Sequence, residues 1–266
     1  VVWITGASSG IGEQLALQAA AAGAKLILSA RRRDQLERVR AACDDPACVA
    51  VLPFDLANFD AAEVLAQAVA AFGPIDILVN NGGIGQRSLL VDTELATYRR
   101  VLEIDFLAAV ALTGAVVPAM RARGRGQIVA ISSITGKVGV PMRTGYCAAK
   151  HAMQGFMDAA RSELARDGLV FTTVCPGYVR TEFSRNALTG DGSRYDKMDP
   201  GQASGLPAEL CARRIWYAVE HDRSEVLIGR EAWVARLHRL APALLRAVLA
   251  RAPLRWFQNS TSNSSS

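Results

Sequence analysis

The chain has 266 residues, half of them hydrophobic, with 30 lysines and arginines against 25 acids and a formal net charge of +5. That length and apolar content exclude a disordered chain and allow one large α/β domain or two small ones. Arg230, Arg236, Arg239, Arg246, Arg251 and Arg255 face the single acid Glu231 and account for the whole excess, so the rest of the chain is balanced and offers no nucleic-acid-binding surface.

Val1-Val2-Trp3-Ile4 reads as a buried strand and runs into Thr5-Gly6-Ala7-Ser8-Ser9-Gly10-Ile11-Gly12. A helix with Leu15, Ala19 and Ala22 on one face follows and ends at Gly23. Strand, glycine turn and helix in this order allow a backbone to approach a pyrophosphate at a helix N-terminus, with Gly6, Ser8, Ser9, Gly10, Ile11 and Gly12 as the contact stretch. A second buried strand, Lys25–Ser29, ends in Ala30-Arg31-Arg32-Arg33, where an NAD-preferring fold usually places an acid. A guanidinium fork matches the 2′-phosphate of NADP, with Arg31 ahead of Arg32; the plain alternative is a solvated helix start.

A helix over Asp34–Cys43 leads to a strand at Val49–Pro53 and to Asp55-Leu56, where Asp55 either meets an adenine or caps the next helix, Ala61–Phe72. The strand Ile75–Val79 delivers Asn80-Asn81-Gly82-Gly83, a loop able to lie against a cofactor or to form an ordinary turn. A long helical stretch, roughly Thr93 to Met120, passes Asp105 and ends near Pro118. The strand Gln127–Ile131 carries Ser132 and Ser133 at its end, and the helix after it, running to about Asp167, carries Tyr146 and Lys150.

Tyr146 and Lys150 are four residues apart, which stacks them on one helical face. A phenol is a poor base at neutral pH, and a neighbouring ammonium would favour its phenolate and let it exchange a proton with a carbonyl or alcohol. Ser133 can reach the same substrate oxygen from the end of its strand. Alone, the pair also fits an exposed helical face. A strand at Val170–Cys175, the stretch Pro176-Gly177-Tyr178-Val179-Arg180-Thr181, a polar segment from 183 to 206 read as a substrate lid, a helix Ala208–Glu220 and a strand Glu225–Ile228 complete the pattern. Repeated strand–helix alternation predicts a doubly wound parallel sheet of the Rossmann type over 1–229, as a single domain with a C-terminal helical arm.

Five cysteines form an odd set with no CxxC pair and no secretory signal; Cys43 and Cys48 flank a short turn but are expected as free thiols in the cytoplasm. Three histidines fit no ligand pattern, so no metal is expected. The chain opens at Val1 on an apolar run, so any N-terminal anchor or targeting segment is beyond the reach of these residues. In the arm, 230–258, Trp233, Val234, Leu237 and Leu240 share a face opposite Arg236 and Arg239; after Pro242, Leu244, Leu245, Val248 and Leu249 form another. Arginines recur too often for a buried transmembrane span. With Trp256 and Phe257 the arm suits peripheral contact with a membrane over 230–257, or packing over the pocket or against another subunit. The tail 259–266 reads as disordered, and its Asn259-Ser260-Thr261 and Asn263-Ser264-Ser265 glycosylation patterns as accidental or a remnant.

Together, Thr5-Gly6-x-x-x-Gly10-x-Gly12, Asp55, Asn80-Asn81-Gly82-Gly83, Ser133, Tyr146-x-x-x-Lys150 and Pro176-Gly177 resemble the short-chain dehydrogenase/reductase family over roughly residues 1–229, and the arginines look like its NADP-preferring members. The resemblance implies NADP(H) as cofactor, Tyr146 as acid/base, Ser133 orienting the carbonyl, and Lys150 on the nicotinamide ribose. It places Thr181 at the carboxamide and extends the cofactor site through Leu56, Asn81, Gly82, Gly83, Pro176, Gly177 and Val179. It implies a homodimer or homotetramer built on the fourth and fifth helices. In two places the chain departs. Gly82 stands where the family has Ala, which predicts a looser loop, and Asp105 stands where the family has an Asn that helps hold a relay water. The activity expected is interconversion of a carbonyl and a secondary alcohol on an apolar, lipid- or steroid-like small molecule, with Ile134, Val138, Val140, Met142, Tyr178 and Phe183 as an apolar wall. The alternative is a catalytically weak NADPH-binding regulatory or scaffold protein that uses the basic arm.

Overall fold

The computed structural model of the chain describes residues 1–252. In chain order the elements begin with β1 (Val2–Thr5), α1 (Gly10–Ala21), β2 (Leu26–Ser29), α2 (Arg33–Ala41), β3 (Val49–Val51), α3 (Ala61–Phe72) and β4 (Ile77–Asn80). They continue with α4 (Leu95–Leu102), a π-helical turn Glu103–Leu107, α5 (Ala108–Arg123), β5 (Gly126–Ile131), α6 (Thr144–Glu163) and β6 (Leu169–Pro176). The remainder is β7 (Val179–Arg180), α7 (Pro200–Ala203), β8 (Leu206–Pro207), α8 (Ala208–Glu220), β9 (Glu225–Ile228), α9 (Ala232–Leu240) and α10 (Pro242–Arg251).

Seven strands form one sheet in the order β3-β2-β1-β4-β5-β6-β9, every neighbouring pair parallel. Both faces of such a sheet are covered, which is why its strands are apolar without alternation. On one face Ile4, Leu28, Val129 and Val174 pack with Leu15, Leu36 and Ile215 of α1, α2 and α8. On the other, Trp3, Ile27, Leu78, Ile128 and Phe171 pack with Val64, Leu112, Val116, Met153 and Met157 of α3, α5 and α6. The chain winds outward from β1 to β3, then returns to β4 and winds the other way. The crevice at the carboxyl ends of β1 and β4 is therefore a topological switch point, the place such sheets bind ligands.

The predicted doubly wound sheet is the one observed, and several predicted boundaries move. Pro118 does not end its helix: α5 runs through it to Arg123, because the carbonyl a proline would leave unbonded, that of Gly114, sits on an exposed part of the helix. The helix bearing Tyr146 stops at Glu163 rather than near Asp167. Asp55 does not cap α3; Asp60 does, accepting the Glu63 N–H at 2.9 Å. Ala22, expected on the buried face of α1, is exposed. Among the described residues of the arm only Ala235 and Leu245 are buried, while Trp233, Leu240, Leu244 and Val248 stay exposed. Trp256, Phe257 and the tail 259–266 with both Asn patterns lie outside the described residues.

Candidate active site

The switch-point crevice opens into a cavity of about 930 Å³. One end is lined by Gly6, Ser8, Ser9, Gly10 and Ile11 from the turn between β1 and α1, and by Arg31 and Arg32 after β2. Gly10 has φ +60°, and a Cβ there would stand 2.9 Å from Cγ2 of Thr181 across the cleft, so the turn and the Thr181 loop approach as only glycine allows. Gly12 does not line the cavity. It lies buried beneath the turn, where a Cβ would collide with the Gly6 carbonyl and stand 2.5 Å from Asn81 Nδ2. Asn81 ties the turn to the loop after β4 by donating from Nδ2 to the carbonyls of Thr5 and Gly6 at 2.9 and 3.2 Å. Arg31 and Arg32 are exposed and, among the described residues, form no ion pair, whereas Arg33 reaches Glu37 at 3.8 Å. Asp55, Leu56, Asn81, Gly82, Gly83, Pro176, Gly177, Val179 and Thr181 also line the cavity.

Gly82 does more than loosen its loop. A Cβ at this position would collide with Cδ1 of Leu56, so the glycine makes room for a larger neighbour. Asp55 holds its own turn by accepting the Ala57 N–H at 3.0 Å.

At the other end of the cleft, Tyr146 and Lys150 share a face of α6, and Ser133 stands at the end of β5, all three lining the cavity. The Lys150 ammonium lies 5.5 Å from the Tyr146 ring centroid and donates to the Ile131 carbonyl at 3.1 Å. Its ionic partner is Asp105, whose Oδ2 is 3.1 Å from Nζ. Asp105 is fully buried behind the cavity wall rather than in it, and its Oδ1 accepts the Ile84 N–H at 2.6 Å. The π-helical turn carries Asp105 into this position.

Burial pushes the Tyr146 phenol above its ordinary value; Lys150 pulls it down, Asp105 pushes it up again, and Arg143 and Ser133 pull it down. The lysine acts in the sense expected from the sequence, but burial outweighs it. Burial alone would lower Lys150, yet Asp105 and Tyr146 more than offset that and hold the ammonium above its usual range. Burial raises the Asp105 carboxyl, against the pull of Lys150 and the Ile84 N–H.

Residues 183–206 form an ordered cover, not an open loop. Leu188 bridges to Gln86 and to Arg194, β7 pairs with β8, and Phe183 packs on Tyr146 with ring centroids 5.5 Å apart. Of the predicted apolar wall, Ile134, Val138, Val140, Tyr178 and Phe183 line the cavity, and Val234 of α9 joins them; Met142 does not.

Two buried glutamines escape sequence reasoning. Gln86 accepts the Gly145 N–H at 2.8 Å, closing the first turn of α6 beside Tyr146. Gln202, from the cover, donates to the Val179 carbonyl and to Thr181 Oγ1, the latter at 2.9 Å. Neither lies in a periodic pattern or a glycine motif, and Gln86 is 59 residues from its partner, so no local signal could have found them.

Comparison with known proteins follows the same lines. A profile for the short chain dehydrogenase family matches residues 1–191. Human dehydrogenase/reductase SDR family member 7 is 42% identical over 241 residues, spanning 88% of this chain and 71% of the relative. The dehydrogenase/reductase SDR family protein 7-like of Anopheles gambiae is 42% identical over 253 residues, spanning 92% and 80%. Among solved structures, a short-chain dehydrogenase from Streptomyces avermitilis superposes with a TM-score of 0.79 at 28% identity, covering 97% of each chain. A short chain dehydrogenase/reductase from Burkholderia phymatum in complex with NAD gives 0.80 at 23% identity over 91% of this chain and 94% of its own, a likeness of fold.

Proposed function

The chain belongs to the short-chain dehydrogenase/reductase family, and on that premise we propose that it is an NADP(H)-dependent oxidoreductase interconverting a carbonyl and a secondary alcohol. Dehydrogenase/reductase activity comes with the family. The finer reading rests on the convergence of Tyr146, Ser133 and Lys150 on the wall of a cavity whose far end is a glycine turn flanked by two arginines.

The residues fit a dinucleotide. The tight turn at Gly10 leaves room for a pyrophosphate over the N-terminus of α1, held by Gly6, Ser8, Ser9, Gly10 and Ile11 with Gly12 packed behind. Arg31 and Arg32 suit a 2′-phosphate, Asp55 and Leu56 an adenine, and Asn81, Gly82 and Gly83 the body of the cofactor. Pro176, Gly177, Val179 and Thr181 suit the nicotinamide, and Lys150 its ribose. When bound, this group would supply or take up the hydride. Ser133 and Tyr146 would both donate to the substrate oxygen, and Tyr146 would hand over its proton as charge develops there. A phenol held above its ordinary value is fully protonated at neutral pH, which suits the donor's part in reduction. Lys150, protonated and anchored by Asp105, would steady the phenolate left behind. The cover 183–206 would act as the substrate lid, and the apolar part of the lining, Ile134, Val138, Val140, Phe183 and Val234, supports a lipid- or steroid-like substrate body.

Five free thiols support a reducing, cytoplasmic setting. The rod Leu95–Arg123 is long and apolar enough to cross a membrane by length and composition, yet it packs on α3 and α6 and carries Asp105 into the site. Its exposed Leu95 and Leu107 are better covered by a second copy, in a homodimer or homotetramer. The exposed Trp233, Leu240, Leu244 and Val248 among arginines favour peripheral contact of the arm with a membrane surface, and they are the observation behind a second reading, a catalytically weak NADPH-binding scaffold.

Fluorescence titration of NADPH and NADH tests the cofactor. Wild type is expected to bind NADPH tighter by about ten- to a hundredfold, the worth of one charge-assisted contact, and Arg31→Ala to lose most of that margin. Equal affinities, or a preference for NADH, would overturn the assignment.

A further inference from the structure

Arg143 lines the substrate end of the cavity three residues before Tyr146. Its side chain is 12% exposed and is pinned from the lid by Asp199, 4% exposed, with Nη2 2.7 Å from Oδ2. The other oxygen of the same carboxylate lies 3.2 Å from Nη2 of Arg87, so one acid of the lid serves two guanidiniums of the body. The Arg143 plane also lies over the Tyr178 ring, 5.8 Å from its centroid. Asp199, salt bridge and ring together fix the side chain, while Nε and Nη1 have no hydrogen-bond partner among the described residues and are not sealed from solvent. A fixed guanidinium with donors in reserve, beside the apolar Val138, Val140, Phe183 and Val234 in a wall that also carries Arg87, Arg194 and Glu182, is a preorganised donor site for an oxyanion.

We propose that Arg143 is a specificity-determining residue that takes a carboxylate or phosphate on the substrate, close to the carbonyl that meets Tyr146. The inference rests on the carbonyl–alcohol reading and narrows it: the substrate is an amphiphile, an anionic group near the reacting carbonyl and an apolar remainder along Val138, Val140, Phe183 and Val234. Closeness follows from their shared place on the cavity wall, where the Arg143 charge also reaches the Tyr146 phenol. Asp199 is the positioning residue that holds the fork and completes the site only when the lid is in place.

The test compares matched ketones with NADPH: 4- and 5-oxo fatty carboxylates against their methyl esters, and phosphate esters of 1-hydroxy-2-alkanones against the free alcohols. Wild type is expected to favour one anionic class by about tenfold or more in kcat/KM, chiefly through KM, and which class wins separates carboxylate from phosphate. Arg143→Met should lose at least about tenfold more on the anion than on its neutral partner, and Arg143→Lys, which keeps the charge but not the fork, should fall between. Wild type treating each pair alike, or Arg143→Met losing both members by one factor, would overturn the proposal and leave Arg143 as a lid latch. If Arg143→Met does not fold, the KM of Arg143→Lys decides alone. If no ketone is reduced at all, the carbonyl–alcohol reading fails; calorimetric titration of the oxo-carboxylate and its ester into wild type and Arg143→Lys then decides the anion site, kept by carboxylate-selective binding that Arg143→Lys weakens and sunk by its absence.

Discussion

Tyr146→Phe is expected to lower turnover by about 10²–10⁴-fold, the usual worth of a positioned acid/base, while the protein folds and binds NADPH as before. The substitution removes one oxygen and keeps the ring that packs on Phe183, so Tm should move by no more than about a single hydrogen bond's worth, ~1 kcal/mol. Steady-state rates, a melting curve and the cofactor titration together isolate the effect to proton transfer. The variant also separates the two functional readings. A scaffold would keep its biological activity with phenylalanine; an enzyme would not. Near-wild-type turnover would remove Tyr146 from the mechanism.

Asp105→Leu should be the most damaging change to the fold, costing about 3–5 kcal/mol, because it strands the buried Lys150 ammonium without its ion-pair partner. The pH dependence carries the signature. In wild type Lys150 is held above its ordinary value, so its contribution is fully present below the unfolded lysine value of about 10.4 and fades only as pH rises through the higher folded value. In Asp105→Leu burial acts on Lys150 with its main opponent gone, the folded value falls, and the gap to wild type should narrow as pH rises toward that of free lysine. Denaturation at pH 7 and pH 9.5 checks this; a constant gap would show that lost packing rather than charge explains the damage. Asp105→Asn keeps an acceptor for the Ile84 N–H but removes a charge that pushes Tyr146 up. Its alcohol-oxidation profile should therefore rise at lower pH than that of wild type. An inactive wild type rescued by Asn would sink the view that Asp105 belongs to a working site.

Strands and glycine turns were legible because each is a local statement. A parallel strand covered on both faces must be apolar throughout, and the positive φ of Gly10 restricts what can stand there. Tyr146, Lys150 and Ser133 were legible for the same reason: a four-residue spacing and a strand end place them without knowledge of the rest. What escaped depends on contacts between distant segments. The family resemblance put Asp105 near Lys150, but only the packing shows that burial outweighs that lysine at Tyr146. Gly82 looked like a missing methyl until Leu56 was found filling its place. Arg143, Asp199 and the two glutamines carry no periodicity; Arg143 meets Asp199, and Gln202 meets Thr181, only once the segment 183–206 folds over the site, and Gln86 meets Gly145 only once its own loop reaches α6.

The π-helical turn at Glu103–Leu107 joins two helices that look outward to different neighbours, α4 to α6 and α5 to α3. Every α-helical residue advances the direction of its side chain by about 100°; the wider turn takes up one extra residue, so the two halves of the rod keep the faces of an unbroken α-helix one residue shorter. That makes the segment sensitive to length more than to composition. Deleting one residue there would restore an unbroken α-helix and leave Leu112, Val116 and Met120 facing the sheet's core, but it would take Asp105 out of its place opposite Lys150. A tyrosine–lysine pair depends in this way on one extra residue built into a helix, whose Asp105 reaches Lys150 from behind the cavity wall.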